Sequence, residues 1–313
     1  MKHYTSIQDI SDIYAWIEEA KKIKENPLKN KKLGKHKTLG LLFFNSSLRT
    51  RLSTQKAALN LGMHTIVMNV SEDAWGIEFE DGSIMNGTTA EHIKEAAAVV
   101  SQYCDVIAVR AFPTLKDKEK DEREQVLNSF LQFATVPIVN MESATGHPLQ
   151  GLTDAITIAE NSTKKRPKVV LTWAPHVKAL PHAVANSFVE AMQKMDVDFV
   201  ITNPEGYNLS KNITKDSHVT HNQTEAFKDA DFIYAKNWSS YDTYGQILKT
   251  DLDWMVTRDK IGNAKFMHCL PVRRNVVVED AVLDSENSLV IQQANNRTFA
   301  AQLVLKKIVE NLK

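Results

Sequence analysis

What most restricts the fold of this chain is the repeated passage from a short apolar run into a helix-patterned stretch. Thr38-Leu39-Gly40-Leu41-Leu42-Phe43-Phe44 is the kind of run that a strand covered on both faces requires. Ser46 or Ser47 then offers an oxygen to cap a helix, and Gly62 gives that helix a natural stop. His64 to Val70 reads as the next strand and completes a β-α-β unit. Strand-like runs recur at Asp105 to Val109, Val136 to Asn140, Lys168 to Trp173, Asp198 to Thr202, Asp231 to Ala235, Lys265 to His268 and Ser288 to Ile291. Helical stretches separate most of them, which predicts a doubly wound, largely parallel α/β architecture. At 313 residues the chain fits two such domains better than one.

The pattern also suggests where the domains divide. A helix is expected over Ile10 to Lys22, followed by a solvated Lys-rich connector from Lys29 to Lys37. Between Thr145 and Arg166 a helix-like stretch runs into the charged turn Ser162-Thr163-Lys164-Lys165-Arg166-Pro167, a plausible crossover. This predicts one domain over residues 1–145 and a second over 146–294. A C-terminal amphipathic helix, 295–313, is expected to pack back on the first. Lys+Arg and Asp+Glu both number 38, so no overall field draws the chain to nucleic acid or to an anionic membrane. The partner class this leaves is a small molecule. The two cysteines, Cys104 and Cys269, form neither a disulfide framework nor a zinc set, which fits a reducing compartment. The first 22 residues have no continuous apolar segment, and no 18-residue apolar run occurs, so the expectation is a soluble, cytoplasmic protein.

Phe44-Asn45-Ser46-Ser47-Leu48-Arg49-Thr50-Arg51 sits where a strand gives way to a helix. Free backbone N–H groups at a helix start, with Ser and Thr hydroxyls and Arg49, suit a phosphate or phosphonate group. A capped surface helix carrying basic residues is the plainer alternative. Neither GxGxxG nor GxxxxGK[ST] occurs, which removes the usual dinucleotide and P-loop signals. Arg110 directly follows a predicted strand, and Glu142 precedes His147-Pro148-Leu149-Gln150. An arginine and a histidine so placed can polarise a carbonyl and stabilise an oxyanion. The Ser47 loop, Arg110, the 142–150 stretch, His176, Lys236 and Cys269 all follow predicted strands, and strand carboxyl ends line the crevice of a doubly wound sheet.

Ser47-Leu48-Arg49-Thr50-Arg51, Arg110, His147-Pro148-Leu149-Gln150, His268-Cys269-Leu270-Pro271 and Asn296-Arg297, in this order, resemble the signature of the aspartate and ornithine carbamoyltransferase family. The resemblance spans Phe44 to Arg297. It implies that the Ser47–Arg51 run holds the phosphate of carbamoyl phosphate, and that Thr50, Arg110, His147 and Gln150 contact its carbonyl and amide ends. Cys269, Leu270 and Arg297 complete that site. It also implies a homotrimer in which a loop of one subunit enters its neighbour's site, with Trp75 as the reaching residue, and a role in arginine biosynthesis. No cofactor and no metal are called for.

His268-Cys269-Leu270-Pro271 is of the ornithine type, yet ornithine enzymes resemble one another in a late Asp-x-x-x-Ser-Met-Gly motif whose Asp meets the free α-ammonium. Here that stretch reads Lys236-Asn237-Trp238-Ser239-Ser240-Tyr241. Lysine there repels an α-ammonium and can pair with a carboxylate, which resembles the N-acylornithine branch of the family. The resemblance further implies a deep knot in the second domain, between residues 174–182 and the stretch after Lys236. Glu142, His176, Lys236 and Arg273 are assigned to the acylornithine, although Arg273 and Arg274 are equally readable as surface charges. Acetylornithine enzymes resemble one another in a Glu just before a Glu-His pair, and succinylornithine enzymes in a Pro. This chain has Ala90 before Glu91-His92, which removes a negative charge and leaves room for a longer group. The expected substrate is therefore N2-succinyl-L-ornithine, with N-acetyl-L-ornithine as the alternative. In a different class, a non-catalytic phosphate-binding module would share the first motif but release no phosphate.

Overall fold

The computed structural model describes residues 1–249 and 253–312. Its strands are β1 (Thr38–Phe43), β2 (His64–Asn69), β3 (Gly76–Glu78), β4 (Thr89–His92), β5 (Val106–Arg110), β6 (Ile138–Glu142), β7 (Lys168–Trp173), β8 (Asp198–Thr202), β9 (His218–Thr220), β10 (Phe232–Lys236) and β11 (Lys265–Met267). They form a four-stranded sheet in the order β2-β1-β5-β6, a five-stranded sheet in the order β11-β10-β7-β8-β9, and the small pair β3-β4. Every pairing between these strands is parallel, as the predicted α/β alternation requires.

Strand periodicity explains the layering. Along β1, Leu39, Leu41 and Phe43 join the largest apolar cluster while Leu42 joins a second one across the sheet. In β10, Phe232 and Tyr234 face the largest cluster, and Ile233 and Ala235 face a third. Successive side chains thus enter opposite cores, which is why these strands read as unbroken apolar runs. The largest cluster takes residues from both sheets, so the two lobes share one apolar interior.

Local chemistry sets the ends of the helix that follows β1. Ser47 caps Leu48–Leu61 by accepting a hydrogen bond from the Thr50 N–H at 3.2 Å. Gly62 ends it in left-handed backbone at φ +79°, where a Cβ would lie 2.1 Å from the Lys31 carbonyl oxygen. The long helix Val290–Val309 packs against Leu48–Leu61, Ile13–Glu25 and Pro148–Asn161. Asn60 Nδ2 donates to Gln302 Oε1 at 2.8 Å, and Lys306 and Lys307 pair with Glu19 at 2.8 and 2.7 Å.

One expected strand is not one. Ser288 to Ile291 makes a single bridge, Ser288 with Phe266, and the chain is helical from Val290, earlier than the predicted start at Asn295. The Phe266 N–H reaches the Asn287 carbonyl and the Leu289 N–H reaches the Phe266 carbonyl, both at 2.8 Å, after which helical bonds take over. Three apolar residues in a row are too few to tell a strand from a helix start.

Each sheet reverses its winding beside its first strand. In the four-stranded sheet, β1 lies between β2 and β5, so the crevice opens past the carboxyl ends of β1 and β5. In the five-stranded sheet, β7 lies between β10 and β8, and the equivalent crevice opens past β7 and β10.

Candidate active site

The first crevice gathers Thr50, Arg110, Glu142, His147, Gln150 and Arg297, all at least nine-tenths buried. Sheet register makes this possible: Arg110 ends β5 opposite Phe43 of β1 and opposite Glu142 of β6, so a guanidinium and a carboxylate leave adjacent strands side by side. Arg110 Nη1 donates to Glu142 Oε2 and, at 3.3 Å, to Thr50 Oγ1. Arg297, on the helix Val290–Val309, donates from Nη2 to Thr50 Oγ1 at 2.6 Å and from Nη1 to Gln150 Oε1 at 2.7 Å. Two arginines from distant parts of the chain therefore converge on one hydroxyl.

His147 Nε2 lies 3.4 Å from Glu142 Oε2 and 3.5 Å from Arg297 Nη2. Burial, with Arg297, Arg110 and Lys236 nearby, holds its pKa well below the usual histidine value, so the ring is neutral at physiological pH. A neutral imidazole keeps one N–H to offer to a developing negative charge. His147 Nδ1, Arg49 Nε and Arg110 Nε are buried without a hydrogen-bond partner among the described residues. Glu142, expected beside the acylornithine, is engaged here by Arg110 and lies next to His147.

At the second crevice, Lys236 ends β10 beside Trp173 of β7. Its side chain lies in a residue only 8% exposed and makes no hydrogen bond or ion pair among the described residues. Burial lowers the pKa of His268 and of His176, and the Lys236 charge adds to it at both. Buried cations without a carboxylate are rare, because desolvation costs several kcal/mol unless an anion repays it. His176 Nε2 accepts from Arg273 Nε at 3.3 Å, and Arg273 is exposed.

Cys269 is buried and Leu270 holds a positive φ of 56° ahead of a cis bond to Pro271. The His268 N–H donates to Gln293 Oε1 at 3.0 Å, and the Leu270 N–H donates to His268 Nδ1 at 2.9 Å, which fixes the 268–271 turn. Ser47 caps the helix, and the Leu48 side chain points to solvent, leaving its backbone as the part at the helix start. Trp75 is 61% exposed, its indole N–H donating to Glu91 Oε2 at 2.8 Å.

Two positions went unread in the sequence. Asp154 and Gln293 are fully buried and hydrogen-bonded to Gln150 and to the His268 backbone respectively. The available signal was spacing: Asp154 stands four residues after Gln150, and Gln293 four before Arg297, on the same helix faces.

Comparison with known proteins decides the family. The aspartate/ornithine carbamoyltransferase carbamoyl-P binding domain model matches residues 2–160, and the Asp/Orn binding domain model of that family matches 181–308. The chain belongs to the aspartate/ornithine carbamoyltransferase family. Within it, the chain is 50% identical to N-succinylornithine carbamoyltransferase of Bacteroides thetaiotaomicron, covering 100% of both chains. It is 37% identical to N-acetylornithine carbamoyltransferase of Xanthomonas campestris pv. campestris, covering 99% of this chain and 98% of the other. Among solved structures it resembles a glutamate-to-valine variant of N-acetyl-L-ornithine transcarbamylase complexed with carbamyl phosphate and N-succinyl-L-norvaline, with TM-score 0.92, 35% identity and coverage of 98% and 100%. Acetylornithine transcarbamylase complexed with acetylcitrulline superposes with TM-score 0.90 at 36% identity, covering 98% of this chain and 99% of that one. This family's two-domain α/β architecture is the one described above, and no helix among the described residues is long and apolar enough to cross a membrane.

Proposed function

We propose that the protein is a carbamoyltransferase that moves the carbamoyl group of carbamoyl phosphate to the δ-amine of N2-succinyl-L-ornithine, giving N-succinyl-L-citrulline and phosphate. The observation that carries the substrate reading is Lys236, a buried cation with no carboxylate beside it among the described residues. An acylated α-nitrogen is uncharged and leaves the substrate's α-carboxylate, or the carboxylate of a succinyl group, as the group that Lys236 meets. A free α-ammonium would be repelled. The 50% identity to the Bacteroides succinylornithine enzyme against 37% to the acetylornithine enzyme favours succinyl. So does the uptake of N-succinyl-L-norvaline by variants of the acetylornithine enzyme in which a glutamate is replaced by valine or alanine. Ala90, exposed on β4, likewise carries no charge against a succinyl group.

In this reading the neutral δ-amine attacks the carbonyl carbon, a tetrahedral intermediate forms, and the C–O bond breaks as phosphate leaves and takes up the proton that the amine nitrogen sheds. Ser47, Leu48 and Arg49 hold the phosphate at the helix start. Thr50, Arg110 and His147 stabilise charge as it develops on the carbonyl oxygen, the kind of preorganised electrostatics that dominates many barriers. Gln150, Cys269, Leu270 and Arg297 position the rest of the carbamoyl group, and Glu142, His176, Lys236 and Arg273 the acylornithine. Holding both reactants together removes translational freedom before the chemical step.

A domain of residues 1–145 binds carbamoyl phosphate in this account, 146–294 binds acylornithine, and the C-terminal helix ties back to the first. The knot expected around residues 174–182 draws support from the Ser239 N–H, which donates to the Leu180 carbonyl at 3.0 Å, and from His182 Nε2, 2.8 Å from the Ser239 carbonyl. A cytoplasmic homotrimer fits an exposed apolar stripe, Leu48, Leu52 and Leu59 on one helix with Ile66 beside it, and the exposed Trp75 as the residue that reaches a neighbour. The deciding assay offers succinylornithine, acetylornithine and free ornithine side by side with carbamoyl phosphate and measures the ureido product. Turnover of free ornithine at the rate of the succinyl compound would overturn the proposal, and phosphate binding without any product would leave only the binding-module reading.

A further inference from the structure

We propose that Asp154 is a positioning residue whose single carboxyl oxygen fixes the amide orientation of both Gln150 and Gln293, and so locks the carbamoyl phosphate pocket to the His268–Pro271 turn. The inference rests on the reading of that pocket given above. Asp154 Oδ1 accepts from Gln150 Nε2 at 2.6 Å and from Gln293 Nε2 at 2.7 Å. An amide whose N–H₂ is taken must turn its oxygen the other way. Gln150 Oε1 accordingly faces Arg297 Nη1 at 2.7 Å, and Gln293 Oε1 faces the His268 N–H at 3.0 Å.

Each orientation matters to a different part of the site. Arg297 is held by Gln150 while its other nitrogen grips Thr50 at 2.6 Å. A flipped Gln150 would set N–H against N–H and loosen that grip. His268 in turn accepts the Leu270 N–H at 2.9 Å, so a flipped Gln293 would free the backbone that presents Cys269 and Leu270. Asp154 is fully buried on the helix Pro148–Asn161, and its carboxyl also has the buried Tyr234 hydroxyl as a neighbour. What the arrangement requires is an acceptor at Oδ1, which an asparagine oxygen also supplies.

The test measures carbamoyl phosphate affinity by titration calorimetry, together with kcat and KM, on the full chain at a temperature where thermal melts show each variant folded. Asp154→Ala is expected to weaken carbamoyl phosphate binding about tenfold or more and to lower kcat by a similar factor, as loss of a buried acceptor that leaves two amide donors unpaired predicts. Asp154→Asn is expected to recover both to within about threefold of the parent chain, since one buried hydrogen bond of ordinary strength accounts for no more. Gln293→Met breaks only one arm. It is expected to lower kcat about tenfold while leaving carbamoyl phosphate affinity within about threefold, and it decides the matter alone if Asp154→Ala does not melt cooperatively. A merely structural role would leave the affinity and kcat of the folded variants at parental values, and that result would overturn the inference. So would an Asp154→Asn chain as impaired as Asp154→Ala, which would make charge the determinant. Failure of the parent chain to bind carbamoyl phosphate would instead bring down the pocket reading itself.

Discussion

Replacing Lys236 by Met removes a charge and keeps most of the side chain's length. The parent lysine sits in an 8% exposed position with no carboxylate partner among the described residues, so on the proposed reading its ammonium is open to meet a substrate carboxylate. Two unit charges about 4 Å apart at an effective dielectric of about 20 interact by about 4 kcal/mol. Setting about half of that against desolvation of the carboxylate leaves roughly 2 kcal/mol, or about a 30-fold fall in kcat/KM for succinylornithine. Lys236→Asp goes further, because the sign of the interaction reverses for both substrates. The carboxylate of succinylornithine is now repelled, and the α-ammonium of free ornithine is attracted where it was repelled. Product formation at saturating carbamoyl phosphate, measured with each amine across a concentration series, gives both ratios. The reasoning fails if Lys236→Met stays within about threefold of the parent on succinylornithine, or if Lys236→Asp keeps the parental preference between the two amines.

Other substitutions test separate parts of the structure. Arg110→Leu should lower kcat by about a hundredfold or more, the range seen when one oxyanion donor is lost. It should also lower the melting temperature, since Glu142 is left buried beside a neutral His147, and adding Glu142→Gln should restore stability without restoring turnover. Gly62→Ala should destabilise the fold by about 2 kcal/mol or more, read by denaturant melts, because left-handed backbone and a Cβ set 2.1 Å from the Lys31 oxygen act together. Burial pushes the Asp154 carboxyl up from 3.8 to about 7, so between those values the folded chain keeps a proton that the unfolded chain has released. Rising pH across that window should therefore erode the stability of the parent chain but not of Asp154→Asn, and parallel melting curves from pH 5 to about pH 8 would contradict the assignment.

The features that local chemistry governs were readable from the residues. The Ser47 cap and the Gly62 stop depend only on neighbours in the chain, and the strand before them is apolar on both faces because both faces are covered. Placement of Arg110 and Lys236 at strand ends followed from the same runs. Sheet order did not follow, since which strands flank β1 and β7 is settled by crossovers whose pairing leaves no mark on short segments. Nor did Asp154 and Gln293, because polar residues on a buried helix face look like interruptions of an apolar pattern until their partners are seen. Arg297 was found by resemblance alone, and its contact with Thr50 joins residues 247 positions apart. The strand expected at Ser288 to Ile291 failed for the opposite reason: its composition favours a strand, and tertiary context made it the start of a helix.

That long reach has a consequence for how the catalyst comes into being. A ribosome emits the Thr50 hydroxyl early and its guanidinium partner 247 residues later, so the growing polypeptide lacks this contact throughout most of its synthesis. Severing the chain ahead of Val290 would part Arg297 from Thr50, so turnover regained on mixing the two pieces would report the return of that one contact.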